Sequence, residues 1–466
     1  MALPTHTSPH LESWRLDAVV GPDHGLPVLA EVDLLVVGAG AAGVAAATVA
    51  AEAGLDVLLV ERYGFAGGAA VAGMSGTICG LYLASDDPQA GPVQVVHGFT
   101  ERFRAELAAR GGLTAPQRYG KTWTVAHDPL VWRETADALL TGAGVRVVYH
   151  AVVAAVVMAE DRYLGVVLES NAGRTAVHAA RIVDASGDAA VVSRGGGRYR
   201  FGQDGRIQNP TMFFRLGGVD TDRFWAAYGE DTICPPQVTE AIVAARAAGA
   251  DLPREKIWIF GTTRPGELLV NATRLAGPAG RVLNVIDPED FTIAEIDGRR
   301  QVRSYAAFLA GRLPGCERAF VVDTGVEAGI RQTRSIASTA DLRNEDVVAC
   351  RKRDDGIVRS PWPIELHDGA RPKLHWLIDD HYEVPFGALV PERGENVIVA
   401  GRCLGAEHEA LASARVTAQC FEYGHAAGQA TALSLAGSVP FRALDPGRVR
   451  ARMEAAGSVL GAASAR

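Results

Sequence analysis

Val32-Asp33-Leu34-Leu35-Val36-Val37 runs directly into Gly38-Ala39-Gly40-Ala41-Ala42-Gly43. The first six residues are short, apolar and β-branched, the pattern of a buried strand. The next six carry a Gly-x-Gly-x-x-Gly spacing. An alanine-rich stretch then predicts a helix reaching about Gly54, a natural C-terminal cap. Val57–Val60 predicts a second strand, which ends in Glu61. Strand, glycine turn, helix, strand and acid in that order form a dinucleotide fingerprint. Glycine permits the tight turn and lets the backbone approach a pyrophosphate, which then sits on the positive end of the helix. The Glu61 carboxylate is placed to accept hydrogen bonds from a ribose 2′-hydroxyl.

Outward from this unit the chain continues to alternate. Val145–Tyr149 predicts a third parallel strand. Val152–Val157, Tyr163–Glu169 and Thr175–Val177 are β-rich runs separated by turn residues, which predicts a three-stranded antiparallel meander. Arg181–Asp188 then predicts a strand running into a polar glycine turn. From about 200 to 380 prolines and aromatics rise, with Trp225, Trp258, Trp362 and Trp376. That shift predicts a second domain inserted before the chain returns. Asn396–Arg402 predicts the return strand, and Ala414–Leu435 is compatible with a helix.

The chain has 466 residues and a net charge of −8 from 46 basic and 54 acidic side chains. An acidic chain of this kind has no electrostatic footprint for nucleic acid or an anionic membrane surface. Only Lys121, Lys256, Lys352 and Lys373 are lysine, a bias that reads as coding composition. The six cysteines form no CxxC pair and no Cys/His spacing suited to zinc, so no metal is expected. They are too scattered for a disulfide framework, which points to a reducing compartment. The first twenty residues lack the basic and apolar regions of a signal peptide. Ala41–Ala51, the longest apolar stretch in the first third, is too short to span a bilayer. The expectation is a cytoplasmic protein, with self-association left open.

After Glu61 comes Arg62-Tyr63-Gly64-Phe65-Ala66-Gly67-Gly68. A second glycine pair just beyond the ribose acid lets a longer cofactor follow the backbone. At this point the chain resembles the glutathione-reductase-type FAD proteins. More narrowly, it resembles the FAD-dependent oxidoreductase family with an ERYGFLGG-type motif, here ERYGFAGG at 61–68. The stretch Val384–Leu433 is similar to the family's flavin-closing region, with Gly-Arg-Cys at 401–403, Ala-Ser-x-Arg-Val at 412–416 and a glycine-bearing helix at 424–428. Glu327–Arg334 resembles the segment on the substrate side. The chain departs from the usual pattern at Glu407, where a small or hydroxyl residue is commoner, and at His425, where glutamine is commoner.

The resemblance implies FAD as cofactor. Gly38, Gly40 and Gly43 would approach the pyrophosphate and Glu61 would hold the adenosine ribose. Arg62, Gly67 and Gly68 would follow the cofactor toward the flavin, with Val153 meeting the adenine through its backbone. Ala185, Ser186, Gly187 and Asp188 would lie near the cofactor's middle. Gly401, Arg402, Ser413, Arg415 and Val416 would frame the ribityl and isoalloxazine end. The expected fold class is α/β: a Rossmann-like FAD-binding domain with a β-meander and an inserted mixed α+β substrate domain. The FAD domain is expected over 31–200 and 384–440, the insert over 201–383, an N-terminal arm over 1–30 and a tail over 441–466.

Several reactions are set aside. No second Gly-x-Gly-x-x-Gly between 200 and 390 argues against an NAD(P)H domain, and the lack of CxxC against disulfide reduction. The Gly-Asp-Ala-Ala-His flavin motif of aromatic hydroxylases is missing at the C-terminal return. What remains is oxidation of a small organic substrate by hydride transfer to flavin N5, with oxygen or an electron carrier taking the electrons. Two alternatives stay open: a monooxygenase acting through a flavin C4a-peroxide, and a non-catalytic flavoprotein whose insert binds a partner. Three residues are candidates for catalysis. His408 falls between the Gly-Arg-Cys and Ser-x-Arg segments, and His367 lies in Pro363–Asp368. Arg331 lies three residues from Arg334; on a helix the two would share a face and could grip a carboxylate. Cys79, close after the second glycine pair, is the first suspect for a covalent flavin link.

Overall fold

The computed structural model describes residues 18–367 and 369–461. The N-terminal arm expected over 1–30 lies outside the described residues as far as residue 17, and the expected tail does so beyond 461.

Strand Val28–Val37 stands in an eight-stranded sheet between Val57–Val60 and Gly173–Asp184, with Arg146–Val148 outside Val57–Val60. These pairs are parallel, and the apolar residues Leu34–Val37, Val57–Val60, Ile182 and Val183 are buried on both faces, as parallel strands covered by helices must be. The register sets Val148, Val60, Val37, Asp184 and Val399 side by side. Every chain crossing therefore leaves the sheet at the same edge, and Glu61, Gly38, Ala185 and Ala400 begin there. Ligands of open α/β sheets bind outside that carboxyl edge.

One strand differs from expectation. Thr175–Val177 and Arg181–Val183 are not separate strands but parts of a single one, Gly173–Asp184. No glycine or proline interrupts His178-Ala179-Ala180, so nothing breaks the extended chain. Its first half pairs antiparallel with Arg162–Ser170, completing the meander with Val152–Ala159. Its second half pairs parallel with the return strand Val397–Val399.

The helix Ala41–Glu52 packs against Thr417–Gly437. The approach is close enough that a Cβ on Gly424 would stand 2.0 Å from the Ala42 carbonyl oxygen. The C-terminal helix expected from Ala414 is in fact two, His408–Ala414 and Thr417–Gly437, broken at Arg415 and Val416. Val416 has extended backbone, and this break turns the two residues out of the helical core.

The 201–383 stretch splits in its packing. Met212 to Ala328 form a hydrophobic cluster of their own. That cluster lies around a four-stranded antiparallel sheet of Trp258–Gly261, Leu268–Asn271, Phe214–Gly217 and Phe320–Thr324, with helices Thr221–Tyr228, Pro236–Ala247 and Pro288–Arg312. From Leu342 to Val384, the buried apolar side chains instead join the cluster that holds the alanine-rich helix. A further small sheet, Thr77–Ile78, Thr122–Ala126 and Gln117–Tyr119, comes from a part of the chain in which the sequence reading placed no strand. No described helix is long and apolar enough to cross a membrane.

Candidate active site

A cavity of about 490 Å³ begins at the carboxyl edge of the sheet and runs beneath the four-stranded sheet. Its first half is the glycine turn. Gly38 has φ +99°, and a Cβ there would lie 2.6 Å from the Ala185 carbonyl oxygen, so only glycine fits. Gly40 and Gly68 face one another: a Cβ on Gly68 would stand 2.9 Å from the Gly40 Cα. The Gly67 N–H donates to the Ala39 carbonyl at 2.8 Å, tying the second glycine pair to the first turn. Gly43 does not line the cavity. A Cβ there would lie 1.8 Å from the Gly38 carbonyl oxygen, so this glycine lets helix and turn close behind the site.

Glu61 is buried and lines the cavity. Its Oε2 accepts the Ala39 N–H at 2.7 Å and its Oε1 the Tyr63 N–H at 3.0 Å. Each oxygen keeps lone-pair capacity for a sugar hydroxyl. Arg62 and the Tyr63 hydroxyl both donate to Glu327, which burial raises above the usual carboxylate range. Val153, Ala185, Ser186 and Gly187 line the same stretch. Asp188 accepts from Arg402 at 2.9 Å and from the Thr333 hydroxyl at 2.7 Å. Gly401, Arg402, Arg415 and Val416 continue the wall.

Besides Gly43, two expected residues are elsewhere. Ser413 is fully buried inside the helix His408–Ala414, where its hydroxyl donates to the Trp362 carbonyl at 2.6 Å and lies 2.8 Å from the Tyr382 hydroxyl. It holds the helix to its neighbours and does not reach the cavity. His408 is the first residue of that helix, half-buried, and does not line the cavity either. The break at Arg415 is what turns the chain inward, and His408 precedes it by two helical turns. Arg331 and Arg334 do not share a helix face. The segment is extended, and Arg334 donates to the Asp188 carbonyl at 3.2 Å while Arg331 reaches the far end of the cavity.

That far end is a chamber walled by Phe213, Phe260 and Trp362. In it the Tyr119 hydroxyl donates to Glu365 Oε1 at 2.7 Å, and His367 Nε2 lies 3.3 Å from the same oxygen. His367 Nδ1 is 3.5 Å from Arg254 Nη2. An arginine only donates, so Nδ1 is the acceptor and Nε2 carries the proton toward Glu365. Burial, and next the charge of Arg331, push His367 well below its ordinary value, so the ring is neutral. Burial alone would raise Glu365; His367, Tyr119 and Arg415 outweigh it and hold the carboxyl low. Arg331 donates to the Asn209 carbonyl at 2.9 Å and Arg415 to Gln208 Oε1 at 3.1 Å. Arg254 donates to Asn271 Oδ1 at 2.7 Å and lies 4.4 Å over the Trp258 ring. Burial weighs against the charge on all three arginines, joined at Arg331 by the charges of Arg254 and Arg415 and at Arg415 by that of Arg402; a guanidinium nonetheless stays protonated at neutral pH. Cys79 also lines the cavity, but burial pushes its thiol up to about 11.

Sequence reading did not pick out Tyr63, Glu327, Tyr119, Arg254 or Glu365. Tyr63, Glu327 and Glu365 lie inside segments quoted for other reasons, and Tyr119 and Arg254 carry no local signal.

The turn, the acid beside it and the polar chamber that continues the same cavity together define an α/β protein shaped to bind a dinucleotide-sized cofactor. The chain belongs to the FAD dependent oxidoreductase family, whose model matches residues 33–453. FAD is its cofactor, and the glycine cradle, which side chains would fill, fits that group. No curated protein sequence matches the chain. Among solved structures it is similar to a geranylgeranyl bacteriochlorophyll reductase-like protein from Thermoplasma acidophilum, at 14% identity over 91% of this chain and 82% of that one, TM-score 0.46. It is also similar to the flavin-dependent brominase Bmp2, at 15% identity over 91% and 84%, TM-score 0.46. A third is the OxyS anhydrotetracycline hydroxylase from Streptomyces rimosus, at 13% identity over 91% and 65%, TM-score 0.42.

Proposed function

We propose that this FAD-dependent oxidoreductase dehydrogenates or oxidises a small organic molecule in the chamber around Glu365, its electrons passing on to oxygen or a carrier. The observation that carries the reading is the continuity of one cavity from the glycine cradle to the chamber, with fixed proton positions at its end. Bound FAD supplies the two-electron acceptor, at its N5, for a hydride leaving a substrate C–H bond. The chain supplies binding, orientation and electrostatics. Gly38, Gly40, Glu61, Gly67 and Gly68 hold the adenosine and pyrophosphate. Arg402, Arg415 and Val416 frame the flavin end, with the first turn of Thr417–Gly437 adding the positive end of a helix.

Phe213, Phe260 and Trp362 exclude water and pack an apolar substrate body. Tyr119 donates to Glu365 Oε1 and His367 Nε2 faces the same oxygen, while no hydrogen bond to Oε2 is found among the described residues. That oxygen accepts the O–H or N–H of a substrate and orients the C–H beside it. Residues 212–328 cover the open side of the chamber as the substrate-side unit.

The test is anaerobic mixing of the holoenzyme with a panel of metabolites while flavin absorbance is followed. Bleaching without oxygen supports dehydrogenation. A flavin that no metabolite bleaches, or a product that gains an oxygen atom only when an external reductant is supplied, overturns it.

A further inference from the structure

We propose that the substrate of this chamber is a small organic acid, recognised through its carboxylate by Arg331 with Arg415 beside it. This rests on the reading of the chamber as the substrate site and narrows it to a chemical class.

The first observation is charge without a counter-charge. Arg254, Arg331 and Arg415 surround a single carboxylate, Glu365, and none of the three takes part in an ion pair among the described residues. The acceptors they have are neutral: the Asn271 and Gln208 amides, the Asn209 carbonyl and His367 Nδ1. Elsewhere in this protein, arginines lining the same cavity do have acids, the half-buried Arg402 with Asp188 and the exposed Arg62 with Glu327. Cations left this way in a closed site are retained when a ligand completes them.

The second observation is where the free donors point. Arg331 is buried, spends one nitrogen on the Asn209 carbonyl, and lines the cavity. A planar fork of N–H groups matches a carboxylate in two parallel hydrogen bonds. Glu365 makes no ion pair with that fork; its Oε1 accepts from Tyr119 and faces His367.

The third argument is chemical. Loss of a hydride leaves positive charge on the substrate carbon. Three guanidinium groups oppose that charge in a neutral substrate, and a carboxylate on the same molecule cancels the opposition. The aromatic walls then take the apolar remainder of the acid.

The experiment titrates the anaerobic holoenzyme with benzoate, phenylacetate and succinate, each against its own amide, and follows the flavin difference spectrum. At least one carboxylate should perturb the spectrum saturably and bind roughly 30-fold or more tighter than its amide. In Arg331→Gln that carboxylate should weaken by about 10²-fold while the amide changes little, and Arg331→Lys should recover part of the loss. FAD content after heat release should stay equal to the parent's. The proposal is overturned if no carboxylate perturbs the flavin, or if acid and amide bind alike. It is also overturned if Arg331→Gln loses FAD, since the charge then serves the cofactor. The comparison of acid with amide needs no variant, so it stands even where a variant fails to fold. A carboxylate that binds without bleaching the flavin supports this proposal, and the dehydrogenase reading is then decided by the metabolite panel, since benzoate has no C–H that can leave as hydride. Bleaching by amides alone has the reverse meaning.

Discussion

The Glu61 carboxylate accepts the Ala39 backbone N–H at 2.7 Å, so the acid at the end of one strand is bonded to the middle of the glycine turn that follows another. The proposed ribose-binding group and the proposed pyrophosphate cradle are thereby tied together. Glu61→Gln keeps the size of the side chain but gives up the charge and one of its two backbone bonds. Equilibrium dialysis with FAD should show affinity reduced by roughly 10- to 100-fold, the loss expected for charge-assisted hydrogen bonds.

Gly424 lies against the Ala42 carbonyl, where a Cβ would come to 2.0 Å. Gly424→Ala must push the C-terminal helix off the helix that carries the cradle. Overpacking of this kind costs about 1–3 kcal/mol. Thermal unfolding should begin several degrees earlier, and the purified variant should carry less flavin. A variant with unchanged melting and full flavin would show that the two helices are not so close.

Tyr119 and His408 should behave oppositely. Tyr119→Phe removes a hydrogen bond that fixes Glu365 and should slow anaerobic flavin reduction by roughly tenfold, at unchanged FAD content. His408 does not line the cavity, and His408→Ala should leave the reduction rate within a factor of about two.

Cys79 remains a thiol up to about pH 11 because burial disfavours the thiolate. A thiolate is the form that attacks a flavin. Acid precipitation should therefore leave all of the FAD in the supernatant, and a yellow pellet that turns white in Cys79→Ala would contradict this.

His127 is buried with its ring 4.4 Å from Trp132, and burial brings its value down to about 4. The unfolded chain takes up that proton near pH 6.5, whereas the folded one resists it until about pH 4. The stability from this group is therefore complete above about pH 6.5 and falls between there and pH 4, by on the order of 3 kcal/mol at most. Urea midpoints measured across that window should fall less steeply in His127→Phe than in the parent. His367, also held neutral by burial, adds to the slope in the same direction.

The cofactor half of the site was legible in the sequence because its parts are local. A strand, its glycine turn, its helix and the next strand with Glu61 fall within thirty-odd residues, and backbone sterics alone require glycine at Gly38. Gly40, Gly67, Gly68, Arg402, Arg415 and Val416 line the cavity for the same reason: each follows the end of a strand or a break between helices. The third strand of the meander was harder to bound, because a strand that changes partners from antiparallel to parallel leaves no mark in its own alternation.

The chamber was decided only by the tertiary structure. Tyr119 and Glu365 are 246 residues apart, and Arg62 and Glu327 are 265 apart. Tyr119, Glu365 and Glu327 have no signal of their own in their neighbours, because a lone tyrosine or acid is ordinary at the surface; Arg62 was legible in its motif, but its partner was not. What distinguishes Arg254, Arg331 and Arg415 is that three remote segments converge and exclude water around them. An arginine's pairing depends on which acids packing brings within reach, and no local pattern encodes that. His408 and Ser413 went the other way: their place beside the flavin-closing motif was right in sequence, but the helix that contains them turns both away from the cavity.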